Sequence, residues 1–183
     1  AGGVLSESAL VSGAWGGARG GWASRAEPAV MRKFNGPDKA WQLMTGPAPA
    51  QILTQEFAQG GVRDSTVFER VVVAAPAGQT AFLFCPIARV AVLDELQVRL
   101  WVSSSRPDVQ LAVRVVLPRS LDAQKRGPAT AIVRGSVYNR PGKWQELRVA
   151  EVPRLLADPV RRLRVTPGAS IDPPEAYFGA FVW

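Results

Sequence analysis

Histidine is absent from this chain, and cysteine occurs once, as Cys85. Without an imidazole there is no Ser-His-Asp or Cys-His nucleophile. Without paired His or Cys ligands there is no zinc site of the usual kind. A single cysteine cannot close an intramolecular disulfide. Within AFLFCPI it reads as a small buried apolar residue. No apolar run approaches the ~20 residues that a spanning helix requires, so no membrane partner is expected. Gly16-Gly17 and Gly60-Gly61 lack the strand–glycine–Lys-Ser/Thr context of a phosphate loop.

What is present is apolar and basic. The chain has 183 residues, 47% of them hydrophobic, which suits one domain or one domain with appendages. Its net charge of +7 is carried by 18 arginines against 4 lysines. The arginines are scattered singly among β-prone runs, and only Arg161, Arg162 and Arg164 cluster. That dispersal describes a solvated basic surface, and no nucleic-acid partner is expected.

Residues 1–33 form a Gly/Ala-rich leader. GAWGGARGGW is too rich in glycine for a stable helix, and the leader is expected to be weakly ordered. From residue 34 to 183, turn clusters such as TGPAPA, SSSRPD and NRPGK separate short β-prone runs. Strands are expected near 51–57, 66–74, 79–84, 96–103, 109–117, 129–136, 143–149, 160–166 and 176–183. EVPRLLAD (151–158) is the best helical turn, because Pro153 suits a first helical position. The fold class is therefore all-β, an antiparallel β-sandwich with one short helical turn. The chain does not begin with Met and ends in the β-prone run AYFGAFVW. The C-terminus reads as cut within or just after a strand, and any signal peptide would lie upstream of Ala1.

LQVRLWVSSSRPDVQLAVRVVL (96–117) alternates on both sides of its turn. Leu96, Val98, Leu100, Leu111, Val113 and Val115 define a core side, which Leu147 and Val149 join from 143–149. The opposite side carries Arg99, Trp101, Gln110 and Arg114, with Arg134 from 129–138. Gathered on one open face, these residues would bind a sugar. The indole of Trp101 stacks on a pyranose, while the arginines and glutamine hold hydroxyl or acidic groups. In the competing reading, Trp101 lies under a loop or the leader and the arginines are solvated or paired with Asp94 and Glu95. Carboxylates are the only plausible catalytic groups, and a glycosidase needs two of them about 5–10 Å apart across a cleft. Glu69, Asp94, Glu95 and Glu146 lie in or beside strands, with no neighbours that would raise a pKa. Glu69-Arg70 and Glu146-Arg148 read as surface pairs, and no enzyme is expected.

The order FNGPDKAW (34–41), LQVRLWVSSSRPDVQLAVRVVLPRS, GKWQELRV and a final strand after EAYF resembles the jelly-roll carbohydrate-binding modules of the galactose-binding-like fold. The likeness spans roughly residues 34–183. In texture the chain is also similar to sandwich domains of secreted planctomycete-type proteins, which set such a domain beside a glycosidase-like region. The resemblance implies a noncatalytic, secreted or cell-envelope module that recognises a polysaccharide, and the positive charge tilts this toward an anionic glycan. It implies the missing domains of a larger chain as a further partner. It also implies that Trp144 packs at the sandwich edge. Trp41 follows a turn and is expected to plug one end of the core. Some relatives hold a structural calcium with an acid after the opening Phe. Asn35 stands there instead, so this chain is expected to bind calcium weakly or not at all, and no other cofactor is implied. The alternative is a structural, interdomain sandwich packed against a missing part of a larger protein.

Overall fold

A computed structural model describes residues 7–11, 39–44, 50–60, 67–76, 80–94, 96–122 and 127–182. The described elements are β1 (Glu7–Val11), β2 (Gln42–Leu43), β3 (Gln51–Gln59), β4 (Val67–Ala74), β5 (Leu83–Ala91), β6 (Val98–Val102), β7 (Gln110–Asp122), β8 (Gly127–Val137), β9 (Gln145–Val149), α1 (Val152–Arg164) and β10 (Tyr177–Val182). The fold is all-β. The strands form three antiparallel sheets, ordered β1-β4-β3, β2-β5-β10-β7-β8 and β6-β9. No described helix is long and apolar enough to cross a membrane.

One core unites the sheets, and the alternation of the strands explains it. Val71 and Val73 enter from β4, Val98 and Leu100 from β6, Leu111, Val113 and Val115 from β7, Leu147 and Val149 from β9. Leu96 packs against this core while remaining partly exposed. Trp41 is 1% exposed and lies in the same cluster, as does the fully buried Cys85. Trp144 is half-buried and meets Phe68 edge-on, with ring centroids 5.8 Å apart.

The ribbon β6–β9 links the other two sheets. β1 lies beside β6. On the other side, the Arg148 N–H donates to Ser136 Oγ at 2.7 Å, joining β9 to the end of β8. Gly135 makes that approach possible, since a Cβ there would collide with the Arg148 carbonyl and the Val149 side chain. At the ribbon's end, the buried Tyr138 hydroxyl sits among the carbonyls of Ser104, Arg140 and Lys143. It thereby ties SSSRPD to NRPGK.

Several expectations need correction. Residues 160–166 are not a strand, because α1 runs on to Arg164. Val152, Leu156 and Val160 recur every four residues as its buried stripe, and that helical period carries through the short β-prone run 160–166. The strand expected at 79–84 occupies Leu83–Ala91 and passes through Pro86. Pro86 faces Ala180 at a register shift between Phe178 and Ala180, where a missing N–H is tolerated. Within the leader, residues 7–11 form β1, which pairs with β4.

Glu69 is no surface pair either. Its side chain is on the core-facing side of β4 and is fully buried. The carboxylate accepts from the backbone N–H of Ala40 at 3.1 Å and of Trp41 at 3.5 Å, and from Gln55 Nε2. Burial without such donors would be costly, so Glu69 fixes the 39–41 segment against β4. The same segment continues into β2, which pairs with β5 and so laces the two larger sheets together. Arg70 pairs instead with Glu56 at 3.3 Å.

Candidate functional site

The outward side of β6–β9 is set by register. Arg99 stands opposite Arg148, and Trp101 opposite Glu146. Two guanidinium groups facing each other repel, and the neighbours offset that charge. Arg148 Nε donates to Glu146 Oε2 at 2.8 Å, and the two form an ion pair, as the sequence suggested. Arg99 Nη2 donates to Gln97 Oε1 at 3.0 Å, and Arg99 forms no ion pair with a described residue. Its Nε is buried without a hydrogen-bond partner. Trp101 and Arg99 are both half-buried. The face thus carries one indole, two guanidiniums and one carboxylate. It can stack on an apolar ring face and offer guanidinium donors beside it, while the Glu146 carboxylate, only 12% exposed, is taken up by Arg148.

The other three expected residues are elsewhere. Gln110 and Arg114 are on β7 and Arg134 is on β8, all in the five-stranded sheet. Gln110 Nε2 donates to the Gly135 carbonyl at 3.1 Å, where β8 meets β9. Arg114 extends over Gly179 and places its guanidinium 5.0 Å from the centre of the Phe84 ring. Arg114 Nε is buried with no hydrogen-bond partner. Arg134 is exposed. The expectation of one shared face around Trp101 is therefore corrected: Arg99 and Trp101 are on the ribbon, and Gln110, Arg114 and Arg134 are not. The reason is pairing. β6 pairs with β9, not with β7, so SSSRPD is a crossover between sheets rather than a hairpin turn. Alternation continues through such a connection without keeping its residues on one face.

A second concave feature lies between β8 and α1. It is a groove of about 510 Å³, with Ile132 and Arg134 on the strand side and Leu155, Pro159, Arg162 and Leu163 on the helix side. Leu155, Pro159 and Leu163 recur at four-residue spacing, a second apolar stripe beside the buried one. That spacing was a readable signal, but it was hidden by the assignment of 160–166 to a strand.

Among the described residues, no group of three or more Asp, Glu, Cys or His side chains is arranged to hold a metal. Asn35 and Glu95, on which the calcium and pairing expectations partly turned, lie outside the described residues. Comparison with family models, with curated proteins and with solved structures finds no match.

Proposed function

We propose that this chain is a noncatalytic carbohydrate-binding module that holds an anionic polysaccharide on the outward side of β6–β9, around Trp101. One observation carries the reading: the register that puts Trp101 across from Glu146 and Arg99 across from Arg148. A pyranose stacked on the indole has the Arg99 and Arg148 guanidinium groups beside it, with Arg148 held in place by Glu146. The positive excess favours a uronate or sulfated sugar. The binding set is then Trp101, Arg99, Arg148 and Glu146. One stacked ring and a few wet hydrogen bonds support affinity of about 1 μM or weaker. A galactose-binding-like jelly roll and a secreted or cell-envelope location belong to the same proposal, and the order of the sequence motifs supports both.

A second reading is favoured by β1, which lies beside β6. In that reading the ribbon is an internal seam and the chain is a structural sandwich within a larger protein. A glycan array read together with thermal melts of Trp101→Ala separates the two. Loss of glycan binding with an unchanged melting temperature supports the module. A melting temperature lowered by many degrees, with no glycan retained by the parent protein, makes the ribbon a packing seam.

A further inference from the structure

β8 is the last strand of the five-stranded sheet. β7 pairs with one edge of it, and along Thr130–Val133 no described strand pairs with the other. Five consecutive residues from Thr130 to Arg134 border the groove under α1. Ala131 and Val133 are 3% and 1% exposed and belong to the core, so they meet the groove with main chain. An unpaired strand edge is a template for another strand. Here the template is recessed beneath a helix, which shields it from casual pairing but leaves a channel alongside it.

The walls of that channel have a definite chemistry. Ile132 and Leu155 are 40% and 37% exposed, and Pro159 and Leu163 extend the apolar surface. Pro159 has no N–H to donate to the Leu155 carbonyl, so that wall also contains a main-chain acceptor without its helical donor. Arg134 on the strand and Arg162 on the helix are both exposed, and neither forms an ion pair with a described residue. Among the described residues, no acidic one borders the groove. Arginines in the last turn of a helix complement its dipole. That accounts for Arg161, Arg162 and Arg164 alike, but only Arg162 of the three borders the groove.

We propose that this groove takes an extended acidic peptide segment of a partner protein, added as a strand to the free edge of β8. The edge supplies a main-chain ladder, the apolar wall accepts alternate aliphatic side chains, and Arg134 and Arg162 receive carboxylates. The volume is within the range of about 300–1,000 Å³ usual for ligand sites. A glycan could use the arginines but has no ladder to offer the strand edge. The site shares no residue with the Trp101 face, so it stands whether or not that face binds sugar.

The test uses fluorescence anisotropy on the full chain with a labelled short peptide of alternating valine and glutamate. Saturable binding is expected, and the valine–lysine counterpart should not bind. Loss of one charge-assisted contact should weaken binding by about tenfold, so Arg134→Gln and Arg162→Gln should each do so with unchanged melting temperatures. Two further peptides are N-methylated on alternate residues, one on each edge. Strand addition requires that one of the two loses binding and the other keeps it. The proposal is overturned if the valine–glutamate peptide does not bind, or if both methylated forms bind like the parent. It is equally overturned if a sulfated oligosaccharide displaces the peptide with the same dependence on Arg134 and Arg162, because the groove is then a general anion site.

Discussion

The β6–β9 ribbon and the β8–α1 edge both place arginine on outward strand positions beside apolar groups, yet they handle that charge differently. On the ribbon, Arg148 is paired with Glu146 and Arg99 is bonded to Gln97. At the β8–α1 edge, Arg134 and Arg162 face a groove that no described acidic residue borders. The ribbon is paired inside itself and flanked by β1 on one side and β8 on the other, whereas β8 ends its sheet. The contrast separates two jobs for the same residue type. An arginine whose charge is met by its neighbours can position a polar group. An arginine whose charge is unmet invites one from outside.

Stability measurements can break this contrast. The largest effect is expected on the ribbon's inner side. Leu147→Ala removes a fully buried side chain directly across from Leu100 and should cost about 2–5 kcal/mol in urea denaturation. A loss well under 1 kcal/mol would show that the ribbon is not an integral part of the core. On the helix side the sign reverses. Pro159 is inside α1, where proline costs about 3 kcal/mol relative to alanine, so Pro159→Ala should raise stability by about 1–3 kcal/mol. A destabilised variant would mean that the helix needs its present shape to pack.

Smaller effects sharpen the comparison. Glu69→Gln leaves the Ala40 and Trp41 N–H groups facing an amide that accepts with one oxygen only, and should cost about 1–3 kcal/mol. Equal stability would mean that the 39–41 segment is held by Trp41 packing alone. Arg134→Ala is a surface change and should alter stability by no more than about 0.5 kcal/mol, while weakening capture of an acidic strand. A large loss of stability would instead give Arg134 a structural role. Calcium should leave the melting temperature where it is, and a clear rise at micromolar calcium would restore the metal site that Asn35 argues against.

Much of the core was legible because alternation is a local property. Val98, Leu100, Leu111, Val113, Val115, Leu147 and Val149 are all buried as the period of two requires. Cys85 followed from its apolar context and Trp41 from its place after a turn. The reading failed where two local patterns competed. The run 160–166 is short and holds β-branched residues, yet Val160 continues the four-residue stripe begun at Val152 and Leu156. The strand expected at 79–84 is Leu83–Ala91 instead, and it carries Pro86 at a register shift. Glu69 next to Arg70 looked like an ion pair, but adjacent strand residues point to opposite faces, so one carboxylate went inward and its neighbour outward.

The sequence by itself determined that the chain is all-β, which residues turn inward along β6, β7 and β9, and which nucleophiles and soft metal ligands are excluded. These follow from composition and from short-range periodicity. Only the tertiary structure decided that β6 pairs with β9 rather than β7, and so that Trp101 and Arg114 lie on different sheets. It alone decided that Glu69 is enclosed by Ala40, Trp41 and Gln55, and that α1 leaves a basic groove along β8. Strand pairing depends on hydrogen bonds between segments far apart in the chain. Alternation records which way each side chain points but not which strand lies next to it.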